Sequence, residues 1–109
     1  MDTEKLDWAA PWRPLSIEQE SIGLQRQLDR ELTAQHPLFG RGATVTGRRI
    51  DNDDILVVLC DGTHANVHLT WGLSSVDEFA KEHPTWFAYG TLDDFVAAML
   101  NDSRDYGQE

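Results

Sequence analysis

The chain has 109 residues, with 19 acidic and nine basic side chains and a formal net charge of −10 at pH 7. That length predicts one domain, and a single cysteine, Cys60, excludes an internal disulfide and favours a reducing compartment. No apolar run reaches the ~20 residues of a membrane span, and residues 1–5 lack the features of a secretory signal. We therefore expect a cytoplasmic protein without membrane contact.

The charge is unevenly distributed. Residues 1–50 carry seven acids and seven bases, whereas residues 51–109 carry twelve acids and only two bases, Lys81 and Arg104. Such a surface repels nucleic acid and attracts basic proteins. The alternative interpretation is that the acids only keep the domain soluble.

Residues 1–15 are predicted to form an irregular aromatic arm, because Pro11 and Pro14 oppose a regular helix. Trp8 and Trp12 in this arm are expected to cover one open face of a sheet, with an interaction arm as the alternative. A single domain is predicted over residues 16–101, followed by a frayed tail over 102–109.

The first helix is predicted to begin at Ser16, which with Gln19 resembles a capping box, and to end at His36-Pro37. Its apolar stripe leaves Glu31 on the solvent side and contains Ile17, Leu24, Leu28 and Leu32.

Three strands are predicted next, over residues 43–50, 55–60 and 63–71. Asp61-Gly62 is typical of a two-residue hairpin turn. That turn sets the register, which would place His64, Asn66 and His68 opposite Leu59, Val57 and Ile55. We call the side of the sheet that would carry these polar and apolar residues the mixed face.

Two helices complete the predicted fold, one beginning at Ser75 and ending at His83-Pro84, the other capped by Thr91. The expected class is α+β: a long N-terminal helix, a three-stranded antiparallel meander with central strand 55–60, and two C-terminal helices. All helices would lie on one face of the sheet.

The candidate chemistry is sparse. His64 and His68 would lie about 13 Å apart along a strand, too far to share a metal ion. Cys60 is predicted to be buried and inert, and Asp51, Asp53 and Asp54 lack the remaining ligands of a calcium loop. No catalytic motif occurs, so we expect no metal and no cofactor, and lean against an enzyme.

Adjacent arginines, Arg48 and Arg49, should point to opposite faces of the first strand. One of them is expected to form an ion pair with Asp53 or Asp54, worth little if exposed.

Three segments carry a resemblance: residues 36–40 (HPLFG), 49–56 (RIDNDDIL), and 61–71, from Asp61-Gly62 through VHLTW. Together they resemble a group of small uncharacterised bacterial proteins with an HPLxG / RxDxDD / VHLTW pattern, over about residues 28–90. The resemblance implies a bacterial origin and a free-standing small domain, and it implies no activity.

The leading functional hypothesis is a small acidic protein-binding module, in its sharpest form an immunity-type inhibitor of a basic toxin. The expected contact residues are Asp51, Asp53, Asp54, His64, Asn66 and His68. One alternative is a small ligand-binding domain or enzyme that uses the His64/His68 face. A second alternative is a homodimer formed through the mixed sheet face.

Overall fold

The computed structural model describes residues 6–71 and 83–107. These residues form β1 (Trp12–Pro14), α1 (Glu18–Glu31), β2 (Thr44–Arg49), β3 (Asp54–Val58), β4 (His64–His68), β5 (Thr85–Gly90) and α2 (Leu92–Gly107). The five strands make one antiparallel sheet in chain order. No helix in these two ranges is long and apolar enough to cross a membrane.

The predicted three-stranded meander is therefore wrong. The sheet gains a strand on each side: β1, from the segment predicted to be irregular, and β5, which the sequence analysis did not assign. Proline is compatible with an edge strand, and Pro14 pairs with Gly47 at the outer edge of β2. The helix predicted from Ser75 lies outside the described residues, so the described C-terminal part contains α2 alone.

The register of the central hairpin differs from the prediction by one residue. Val58, Leu56 and Asp54 face His64, Asn66 and His68. The turn contains three residues rather than two, because Leu59 N–H donates to Thr63 O at 2.8 Å and Gly62 adopts φ +86°. A three-residue loop of this kind places glycine in the left-handed region. A one-residue shift exchanges the two faces of a strand, so the predicted composition of each face was wrong.

The helices lie on opposite faces of the sheet, not on the same face as predicted. On the first face, α1 packs Leu24 and Leu28 against Ile55, Val57 and their neighbours. On the second face, α2 packs Phe95 and Met99 against Leu56 and Trp12. Alternate residues of β3 thus serve two separate cores, which accounts for its unbroken apolar run.

Aromatic side chains fill the second face around Phe95, which is fully buried. The rings of Trp8, Trp12 and Tyr89 meet Phe95 edge-on with centroids 6.1, 5.2 and 5.1 Å away. Trp8 also lies over Gly47, where a Cβ would overlap its ring. The two tryptophans therefore cover the sheet.

The helix ends differ from the prediction in three places. α1 has Ile17 as its N-cap without a side-chain cap and ends at Glu31, five residues before His36. α2 is capped by a reciprocal pair, Thr91 N–H to Asp94 Oδ2 at 2.9 Å and Asp94 N–H to Thr91 Oγ1 at 3.1 Å. It continues to Gly107, beyond the predicted start of a frayed tail at residue 102.

Candidate functional site

The turn between β2 and β3 presents carboxylates at one end of the sheet. Asn52 Oδ1 accepts the Asp54 N–H at 2.8 Å, which closes a side-chain turn typical of asparagine. Leu69 N–H donates to Asp53 O at 3.1 Å and anchors the turn to the end of β4. The side chain of Asp53 is exposed, and no basic side chain of the described residues forms a salt bridge with it.

Arg49 is held between two carboxylates. It donates to both Asp51 oxygens at 2.8 and 2.9 Å, and its Nη1 lies 3.4 Å from Asp102 Oδ2. Its guanidinium also stacks over the Trp12 ring, 5.7 Å from the centroid, while Trp12 Nε1 donates to Asp102 at 2.9 Å. The hydrogen bonds from Arg49 lower the pKa of Asp51, so this carboxylate remains ionised near neutral pH.

Asp54 binds two polar side chains on the second face of the sheet, and one of them extends the network to Tyr89. His68 Nδ1 donates to Asp54 Oδ1 at 2.6 Å, and Asn66 Nδ2 donates to Asp54 Oδ2 at 3.1 Å. Asn66 also donates to the Tyr89 hydroxyl at 3.1 Å. Burial of that hydroxyl, with Asp102 and Asp54 nearby, raises the pKa of Tyr89 to about 12, so Tyr89 stays neutral.

We define the acidic turn surface as Asp51, Asp53, Asp54 and His68. Asp102 adjoins it through Arg49. The surface and Asp102 together carry four carboxylates and one guanidinium, and among the described residues that guanidinium pairs with Asp51 and Asp102 only. The side chain of His68 is 50% exposed.

The structure separates the six predicted contact residues into two groups. Asp51, Asp53, Asp54 and His68 lie together on the acidic turn surface. His64 and Asn66 are only 1% and 3% exposed, so their prediction as surface contacts was wrong. Both point beneath the aromatic cover and α2, because the actual register places them opposite Val58 and Leu56.

His64 is a buried, uncharged histidine. Burial lowers the pKa of its imidazole, and its Nδ1 has no hydrogen-bond partner. No group of three His, Cys, Asp or Glu side chains in residues 6–71 and 83–107 is arranged to hold a metal ion.

Two further predictions concern single side chains. Cys60 is exposed, not buried as predicted, because β3 ends at Val58 and Cys60 lies in the hairpin loop. Arg48 and Arg49 do serve opposite faces, since Arg48 pairs with Glu20 on α1 at 3.6 Å and Arg49 pairs with Asp51 and Asp102. Neither arginine forms the predicted ion pair with Asp53 or Asp54.

The sequence analysis placed Glu31 on the solvent side of the first helix, and this prediction was wrong, because its carboxylate is fully buried. Its Oε1 accepts the Thr70 N–H and hydroxyl at 2.7 and 2.8 Å, and its Oε2 accepts from Trp71 N–H at 3.0 Å and Gln27 at 2.8 Å. It fixes the chain directly after β4, where Trp71 has a left-handed φ of 61°. Helical periodicity could not reveal this role, since Thr70 and Trp71 are about 40 residues away in sequence.

Two cavities lined by described residues lie beside α1. The larger, about 740 Å³, is bordered by Ile22, Gln25, Arg26 and Thr44; the smaller, about 250 Å³, by Leu32, Leu38 and Phe39. Neither touches the acidic turn surface.

Comparison of the chain with protein-family models, with curated proteins and with solved structures finds no match.

Proposed function

We propose that this protein is a small acidic binding module that recognises a basic protein through the acidic turn surface. The observation that carries the proposal is the surplus of carboxylates there: Arg49 is already engaged by Asp51 and Asp102, whereas no basic side chain of residues 6–71 and 83–107 forms a salt bridge with Asp53. An ordered site with unneutralised charge attracts lysine or arginine side chains of a partner.

The fixed positions of two carboxylates on the acidic turn surface also support the proposal. Asp51 is fixed by two hydrogen bonds from Arg49, Asp54 is fixed by His68 and Asn66, and the backbone between them is tied to Leu69. A partner therefore meets carboxylates whose positions are already restricted, so less side-chain entropy is lost on binding.

Complementary charge increases the rate of encounter and makes binding salt-dependent. Both properties suit the sharpest form of the proposal, an immunity-type inhibitor that captures a basic toxin quickly. A cytoplasmic location is part of the same proposal, and an exposed free thiol at Cys60 suits a reducing compartment.

The test is affinity capture from a lysate of the source organism with three baits: the wild type, a D53N/D54N variant and a D61N/D93N variant. The third bait is the matched control. It removes two exposed acids, but at the far end of the β3–β4 hairpin and at the start of α2. We expect the wild type and the control to retain one basic protein that elutes with moderate salt, and D53N/D54N to lose it.

Equal retention of that protein by D53N/D54N would show that binding occurs elsewhere. A folded wild-type bait that retains nothing specific would oppose the proposal as a whole. Circular dichroism of all three baits establishes that each is folded.

A second candidate function, ligand binding or acid–base chemistry at His68, rests on one observation. The Asp54 carboxylate orients the half-exposed imidazole through Nδ1, and general bases are commonly oriented in this way by a carboxylate. The sequence-based version of this hypothesis places a pocket between sheet and arm, where Trp8 and Trp12 now pack against Phe95. A thermal-shift screen of metals and metabolites tests it: a shift that H68Q abolishes supports it, and the absence of any shift opposes it.

A further inference from the structure

The outer edge of β5 is the starting point. β5 pairs with β4 on its inner side, and no other strand of the described residues pairs with its outer side. Thr85, Phe87 and Ala88 are exposed, and the Phe87 side chain is 53% accessible to solvent. Backbone donors and acceptors along such an edge can pair with another strand.

This edge lacks the features that usually prevent pairing. Its sequence, Thr-Trp-Phe-Ala-Tyr-Gly, contains no charged residue and no proline. By contrast, charged residues make up 26% of the chain. Proteins commonly protect exposed edges with lysine, proline or bulges that twist the edge away. The bulge that β5 does contain lies at its end, between the partners of His64 and Ala65.

The side chains of β5 are complementary to themselves in one antiparallel register. Phe87 and Tyr89 lie on the second face with Phe95, whereas Trp86 packs against the first-face core. A two-fold axis through Phe87, perpendicular to the sheet, sets Phe87 of one copy beside Phe87 of the other. On the first face it sets the large Trp86 beside the small Ala88, both within the regular part of β5 that precedes the bulge at Tyr89. Aromatic and mixed cross-strand pairs of this kind stabilise antiparallel sheets.

From this complementarity we propose that two copies of the chain associate through β5, forming a continuous ten-stranded antiparallel sheet across a two-fold axis at Phe87. A second copy fits this edge because β5 contains no charged residue, so the two strands do not repel each other where they meet. This holds although each protomer carries a net charge of −10. The contact is isologous and closed, so it stops at the dimer.

One short strand per protomer buries little surface, which places the contact among weak interfaces. Association therefore depends on protein concentration, and added salt strengthens it by screening the repulsion between two acidic protomers. The interface leaves Asp51, Asp53 and Asp54 outside it, so this inference stands independently of the proposed function.

The test is the mass of the full chain in solution, measured by sedimentation equilibrium from about 10 µM to about 1 mM, a range that brackets weak association. We expect the wild type to pass from the 12.3 kDa monomer to twice that mass. F87K, which places two lysines against each other at the axis, should lower the association constant at least about tenfold. The matched control is I22K, at an equally exposed apolar residue on α1, and it should dimerise like the wild type.

A wild type that stays monomeric at the highest concentration overturns the proposal. So does an F87K variant that is folded by circular dichroism and still dimerises normally. If F87K does not fold, A88K replaces it, because Ala88 is exposed and its lysine would meet Trp86 of the second copy. Dimerisation of A88K at the wild-type association constant would equally overturn the proposal.

Discussion

Replacing Glu31 with glutamine should destabilise the fold strongly although it changes few atoms. The carboxylate is fully buried and accepts four hydrogen bonds, two of them from the backbone N–H groups of Thr70 and Trp71. A glutamine amide has only one oxygen, so its NH₂ must face one of those backbone donors. At least one backbone N–H, of Thr70 or of Trp71, then loses its partly buried acceptor.

An unsatisfied buried donor costs about 1–3 kcal/mol, and the remaining bonds lose their charge-assisted strength. We therefore expect the free energy of unfolding to fall by about 3 kcal/mol. The assay is urea denaturation of the wild type and E31Q, with a lower midpoint at an unchanged m-value.

E18Q is the control, since Glu18 is an exposed carboxylate in the first turn of the same helix. The free energy of unfolding of E18Q should fall by less than about 1 kcal/mol, which is the size of a helix-dipole effect. An E31Q variant within about 0.5 kcal/mol of wild type, the range of ordinary surface substitutions, would refute the reasoning.

Three further predictions concern substitutions of single residues. In G47A the new Cβ overlaps the Trp8 ring, so the free energy of unfolding, measured by heat or urea, should fall by about 1–3 kcal/mol. G23A has free space around it in α1, so its free energy of unfolding should rise by about 0.5–1 kcal/mol. Equal effects of the two substitutions would contradict the packing described. Burial lowers the pKa of His64, so the unfolded state binds the proton more readily, and wild-type stability should fall with decreasing pH below about 6.5, by up to about 1.4 kcal/mol per pH unit more than in H64L. A stability difference between the two that does not change with pH would contradict this. The arginine hydrogen bond that lowers the pKa of Glu20 from 4.5 to about 2 stabilises the fold above pH 4.5 and is lost on acidification toward pH 2, so the stability gap between wild type and E20Q should narrow over that window; a constant gap would contradict it.

Periodicity and turn chemistry predicted the elements that local sequence determines. The buried leucines Leu24, Leu28 and Leu32, the Thr91 cap of α2 and the existence of the β3–β4 hairpin all depend on residues close together in the chain. Ile17, predicted on the same apolar stripe, is 60% exposed, so that part of the prediction was wrong. The register of the β3–β4 hairpin could not be deduced from the sequence, because Asp61-Gly62 fits both a two-residue turn and the last two positions of a three-residue loop.

The edge strands could not be found in the same way. β1 has three residues and includes Pro14, so it has neither the length nor the alternation of a predictable strand. β5 follows Pro84 with aromatic residues on both faces and lacks a polar–apolar alternation. Both strands are defined by their pairing with β2 and β4, which is information from distant sequence.

The candidate site was partly predictable. Acid density located Asp51, Asp53 and Asp54, because adjacent turn residues must lie together on the surface. His64 and Asn66 were wrongly predicted to be exposed, because the predicted hairpin register was off by one residue and so exchanged the two faces of the strand. The hydrogen bonds of Asp54 with His68 and Asn66 join residues 12 to 14 positions apart and follow only from the observed pairing.

The central claim is that the acidic turn surface forms the contact with a basic partner. The most direct measurement is the association rate of the captured partner with wild type, D53N/D54N and D61N/D93N, by stopped-flow or surface plasmon resonance at low and high salt. We predict that D53N/D54N lowers the low-salt rate about tenfold and flattens its salt dependence, while the control remains near wild type. Equal rates for D53N/D54N and wild type at low salt would contradict the account.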